Sequence, residues 1–166
     1  MEKILKPSLK FLKVSTREIL LLAIANEARV AGQFDEWSHR FLPYDDKISR
    51  LLNVMAQREE ERQKTLEGWY QNLFGELVPP IESYNNDEFI KKFPQLQEHF
   101  FVISPLMAAE ILELVLESKK SARQFYEAAL AQVTQPDLKW FYEKPARFED
   151  DHVHRVNRHL EELRTE

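Results

Sequence analysis

Four stripes of apolar residues at helical spacing run through this chain, and each is interrupted by charge near its middle. The first is Leu20, Ala23, Glu27, Val30, Phe34, Trp37, Phe41. The second is Ile48, Leu52, Met55, Glu59, Arg62, Leu66, Trp69, Leu73. The third is Leu112, Val115, Lys119, Ala122, Tyr126, Ala129, Val133, and the fourth Leu138, Tyr142, Pro145, Glu149, His152, Val156, His159, Leu163. Residues three and four apart share one face of a helix, so these faces must be buried against one another. Glu27, Glu59, Arg62, Lys119, Glu149 and His152 then lie where the packing demands apolar groups. A buried ion is costly unless it is paired or bound to a metal. The middle of such a bundle therefore holds a metal or is filled by the chain's own cations.

Composition narrows the alternatives. A length of 166 residues suits one domain. Only 3 glycines, with 31% charged residues, suit long helices better than a sandwich or barrel. The absence of cysteine excludes disulfides, thiolate zinc sites, iron–sulfur clusters and cysteine nucleophiles. It fits a reducing compartment, and a cytoplasmic location is expected. The start, MEKILKPSLKFLKV, is too polar and proline-broken for a signal peptide. The longest apolar run, Ile19 to Ala25, is too short to span a bilayer, so no membrane partner is expected. A net charge of −5 without a basic patch argues against a nucleic-acid partner.

Start and stop signals divide the stripes into helices. Ser15-x-x-Glu18 is a capping box opening a helix over 15–39, broken at Phe41-Leu42-Pro43. Asp45 caps a second over 45–74, with Gly75 as the stop and Pro79-Pro80 forbidding continuation. Ser104-Pro105 opens a third, 105–132, and Thr134 or Gln135 before Pro136 opens a fourth, 136–164. Pro145 kinks the fourth helix or starts its main segment. Short loops make helices 1 and 2, and 3 and 4, antiparallel pairs. The longer stretch 76–103 can carry the chain along the bundle, with Phe89, Ile90, Phe93, Leu96 and Phe100 covering the core and a short helix near 87–98. Residues 1–14 form an amphipathic arm. The halves repeat weakly: Ala56-x-x-Glu59-x-x-Arg62-x-x-x-Leu66 matches Ala146-x-x-Glu149-x-x-His152-x-x-x-Val156.

Glu149-x-x-His152 offers an oxygen and an imidazole nitrogen to one point inside the bundle. Glu27 and Glu59 reach the same level from helices 1 and 2. Such a set suits a hard or borderline divalent ion. Bundle dimetal centres take one Glu from each of two helices and a Glu-x-x-His from each of the other two. Together with Lys119-x-x-Ala122-x-x-Phe125-Tyr126 and Ala146-x-x-Glu149-x-x-His152, this order resembles the ferritin-like proteins of rubrerythrin type, over about residues 15 to 163. The resemblance implies an all-α, ferritin-like four-helix bundle with a long crossover between helices 2 and 3. It places Glu27 as the first terminal carboxylate, Glu59 and Glu149 as the bridging carboxylates and His152 as the second histidine.

Two positions depart from that pattern. Arg62 stands at the first histidine and Lys119 at the second terminal carboxylate. Gln63 and Glu117 lie too far round their helices to substitute. A cation ~4 Å from a divalent ion is opposed by ~8 kcal/mol at an effective dielectric of 20. Guanidinium, in contrast, binds carboxylates well, so Arg62 is an apt replacement for a metal between Glu27 and Glu59. With Arg62 and Lys119 against three carboxylates, a protonated His152 brings the cluster to neutrality.

The leading expectation is a degenerate dimetal site in a structural or binding protein, with no cofactor. A second reading is a non-haem oxidoreductase with an altered dimetal centre on the candidate ligands Glu27, Glu59, Glu149 and His152, or with a single divalent ion (iron, manganese or zinc) on Glu59, Glu149 and His152, acting on oxygen, peroxide or ferrous iron. A third is a helical scaffold that forms a homodimer through the wide apolar face Ile19 to Ala25. Phe34 and Tyr126 resemble aromatics beside the family's metal sites but read first as plain core, His159 as a bundle-end residue, and Glu36-x-x-His39 as surface.

Overall fold

The structure is a computed structural model that describes residues 15–80, 101–132 and 145–165, with the side chains of 145–150 outside the described set. Its elements are four α-helices: α1 Thr16–Phe41, α2 Asp46–Phe74, α3 Pro105–Leu130 and α4 Pro145–Arg164. Among the described residues the all-helical expectation holds, and three of the four starts follow the local chemistry read from sequence. Ser15 Oγ accepts from the Glu18 N–H at 3.3 Å. Asp45 Oδ1 accepts from the N–H groups of Lys47 and Ile48 at 2.9 and 3.1 Å. Ser104 Oγ accepts from Met107 N–H at 3.2 Å, with Pro105 in the first turn. Each satisfies donors that have no partner inside the helix. Gly75 ends α2 at φ 67, a left-handed conformation that favours glycine, and its N–H reaches Gln71 O at 2.8 Å. Pro145 is the first residue of α4 as described, and the residues before it, on which the choice between start and kink depends, lie outside the described set.

Helices α1 and α2 pack side by side, as do α3 and α4, and further contacts join α1 to α3 and α2 to α4. The core falls into two apolar clusters. One joins the C-terminal half of α1 (Val30, Phe34, Trp37, Phe41) to the N-terminal halves of α2 and α3 and to Val156 and Leu160 of α4. The other joins Ile19, Leu20, Ala23 and Ile24 to Leu66 and Tyr70 of α2 and to Tyr126 and Ala129 of α3. So α1 and α4 run one way, and α2 and α3 the other. The arm 1–14, most of the predicted crossover with its short helix, and the predicted start of the fourth helix at Pro136 lie outside the described residues.

Along α2 the buried face departs from the heptad reading. Tyr70 is fully buried, whereas Trp69 is partly buried and Leu73 exposed. A straight helix of 3.6 residues per turn drifts ~20° per heptad, so by the last turns the inward direction passes from Trp69 to Tyr70. The same drift buries Leu160 of α4 and leaves His159 partly exposed. The wide apolar face of α1 is used mostly inside the molecule. Ile19, Leu20, Ala23, Ile24 and Ala25 are buried, and Leu21 packs partly buried against the lower cluster.

Candidate functional site

The two apolar clusters are separated by the charged residues. Glu27 lies between Ile24 and Val30, Glu59 between Met55 and Leu66, and Lys119 between Val115 and Tyr126. Glu27, Glu59 and Lys119 are 1%, 3% and 5% exposed, and the Arg62 side chain 12%. The helical period delivers all four to one level from three helices. His152 of α4 is also buried. The side chain of Glu149 falls outside the described set.

Glu59 is the hub. Its Oε1 accepts from Lys119 Nζ, and its Oε2 lies 3.5 Å from Arg62 Nη1. The same Nη1 is 3.9 Å from Glu27 Oε1. Glu27 Oε1 also accepts from the Tyr126 hydroxyl, and the two carboxyl groups are hydrogen-bonded to each other. Two rings face the cations: Arg62 sits 5.1 Å from the centroid of Tyr126, and Lys119 Nζ 5.6 Å from that of Phe34. Desolvated cations gain from such quadrupoles.

Electrostatics divides the two acids. Burial, then the neighbouring charge of Glu59, pushes Glu27 well above the usual carboxylate range. Burial also acts to raise Glu59, but the hydrogen bond from Glu27 and the charges of Lys119 and Arg62 outweigh it and bring it to about 2. The pair therefore titrates as a unit in which Glu27 keeps the proton and Glu59 carries the charge. Burial, then the charges of Lys119 and Arg58, lowers His152 below its ordinary value. Burial and the neighbouring cations thus oppose the charge on His152 that neutrality of the cluster would need, and burial favours a proton on Glu27.

These donors do not fit a divalent ion as they stand. Both oxygens of Glu59 face cations, and Glu27 Oε1 is engaged by a phenol and a guanidinium. An ion placed on them would stand about 4 Å from one or both cations, against the repulsion of ~8 kcal/mol each noted above. Among the described residues, no three His, Asp or Glu side chains gather in a way that could hold a metal.

Sequence reasoning missed the phenol of Tyr126. It lies seven residues after Lys119, on the same stripe, which was the available signal. It also missed Ser38 and Ser49, buried where α1 and α2 meet near their loop. Each hydroxyl donates to the other residue's carbonyl at 2.8 Å. Glu36 and His39 are exposed, as read, with Glu36 paired to Arg40 at 2.5 Å and His39 bonded to Asp35 O. Gln63 turns away from the centre to bond Glu67 at 3.0 Å. Glu117 is exposed, and His159 lies 3.6 Å from Glu162 near the end of α4.

Comparison of the chain with protein-family models, with curated proteins and with solved structures finds no match. No helix among the described residues is long and apolar enough to cross a membrane.

Proposed function

We propose that this chain is a ferritin-like bundle of rubrerythrin type whose dimetal centre has been replaced by a salt-bridge layer, leaving a structural or binding protein without oxidase or peroxidase chemistry. The observation that carries the reading is the placement of Lys119 Nζ on Glu59, with Arg62 between Glu59 and Glu27. At the two positions where the sequence departs from a metal-ligand pattern, the side chains put cations on the carboxylates that would otherwise hold metal. A guanidinium and an ammonium supply positive charge without coordination chemistry, so the layer has no group to activate oxygen or peroxide. The helix directions support the ferritin-like part of the proposal. With α2 and α3 parallel, the chain between them has to travel the length of the bundle, as a crossover does.

Metal content tests this directly. Protein purified without chelator, then reloaded with ferrous or manganous ion under nitrogen, is expected to hold well below one metal per chain by elemental mass spectrometry. About one metal per chain, lost in His152→Ala, would sink the proposal and favour the oxidoreductase reading.

A further inference from the structure

We infer that Arg62 and Lys119 are what keeps a divalent cation out of the bundle centre, and that replacing both with ligating side chains turns the salt-bridge layer into a divalent-metal site. The inference rests on the reading of the layer given above and deepens it. It assigns the exclusion to two side chains rather than to the backbone.

The geometry points to this in three ways. Glu27 and Glu59 come from adjacent helices with their carboxyls in hydrogen-bond contact, so two oxygen donors already converge. Lys119 enters from a third helix and ends on Glu59 Oε1. A glutamate at that position is one bond shorter than lysine. Its oxygens would stop short of Glu59 and leave a gap between two carboxylates, filled by an ion with bonds of about 2.0–2.2 Å. Arg62 lies one helical turn from Glu59 on the same face. A histidine in place of Arg62 would follow Glu59 at the spacing that Glu149 and His152 already have on α4. The apolar clusters above and below keep the level dry, so ligands are not lost to solvent. An oxygen-rich set with imidazole takes hard or borderline divalent ions such as manganese or cobalt.

The experiment compares the wild type with Arg62→His/Lys119→Glu. Binding is read by manganous titration calorimetry, by the visible absorption of added cobaltous ion, and by the melting temperature with and without metal. A ligand that binds the native state alone raises the melting temperature. The expected result is no saturable binding and no thermal shift in the wild type. The double variant should bind at least 100-fold more tightly, melt higher with manganese, and lose at least tenfold in affinity when Glu59→Gln is added.

A double variant with unchanged helical content that binds no better than the wild type overturns the inference and leaves the salt-bridge reading standing. Saturable micromolar binding by the wild type overturns both. If the double variant folds only when manganese is added, that supports the inference. If it folds under neither condition, Lys119→Gln decides. That single change removes one cation and should raise manganese affinity at least tenfold, and an unchanged affinity overturns the inference.

Discussion

Two polar regions interrupt the same core, and they solve the same problem differently. Near the loop between α1 and α2, Ser38 and Ser49 are buried and neutral, and each hydroxyl finds the other's carbonyl. At the middle of the bundle, Glu27, Glu59, Arg62, Lys119 and Tyr126 form a layer of charges and hydrogen bonds drawn from three helices. The serine pair joins two neighbouring helices of one hairpin and is complete in itself. The charged layer joins α1 and α2 to α3, and Glu27, Glu59 and Arg62 each face more than one partner. Removing a serine leaves one backbone carbonyl short of one donor. Removing Glu59 leaves two buried cations. Stability at the first site is local, whereas at the second it is shared, and the sharing fixes how the hairpins sit against each other.

Breaking the hub gives the largest effect. Glu59→Ala should destabilise the protein by ~3–5 kcal/mol, because it removes the carboxylate that Lys119 and Arg62 share in the core. The shift in the urea midpoint measures it, and a loss below about 1 kcal/mol would mean that the cations escape to solvent. Tyr126→Phe removes one donor from Glu27 and keeps the ring under Arg62. It should cost ~1–3 kcal/mol, the penalty of an unsatisfied buried acceptor. Ser38→Ala should cost about 1 kcal/mol. In a double-mutant cycle Ser38 and Ser49 should couple with each other but not with Tyr126, since distant sites add. Coupling between the two regions would show that they act as one network.

The smallest effect separates the regions by pH. The serine pair has no titratable group, so pH acts through the charged layer. His152 is depressed in the fold, so its contribution is full above the ordinary value of 6.5 and is lost as pH falls through the folded value. Glu59, lowered to about 2, contributes above about 4.5 and loses that contribution as pH drops toward 2. Glu27 is raised, so its share is present in acid and is lost as pH rises through its folded value. Melting temperature should therefore fall as pH drops below about 4.5 and Glu59 loses its contribution. Between there and about 6.5, His152 and Glu27 act in opposite directions, and His152→Gln should lose less on acidification than the wild type.

Much of the helical layout was legible because caps and stops are local chemistry. Ser15, Asp45, Ser104-Pro105 and Gly75 each act within one turn of where they stand. The level of the charged residues was legible too, since three- and four-residue spacing decides which face they share. What escaped the sequence depends on partners that the period does not name. Tyr126 looked like core because an aromatic on an apolar stripe needs no polar contact, and only the opposing helix supplies Glu27. The serines lie one step off their stripes, where the approach of two helices decides whether they are buried. The charge count at this level considered pairing without desolvation. A buried imidazole beside Lys119 sheds charge, whereas one of two touching carboxyls keeps a proton.

One contact at each end of the bundle sets a length. Glu76, just past α2, forms an ion pair with Arg17 near the start of α1, and Tyr70 bonds both of them at 3.0 Å. Val102, just before α3, donates its N–H to Arg40 O at 2.9 Å near the far end of α1. Helix α1 thus acts as a ruler. At 1.5 Å per residue, positions 17 and 40 stand about 35 Å apart. The chain from 77 to 101 is a tether whose two ends are pinned that far from each other. About ten fully extended residues would just reach. A connection shorter than that must tear off one of the two pins.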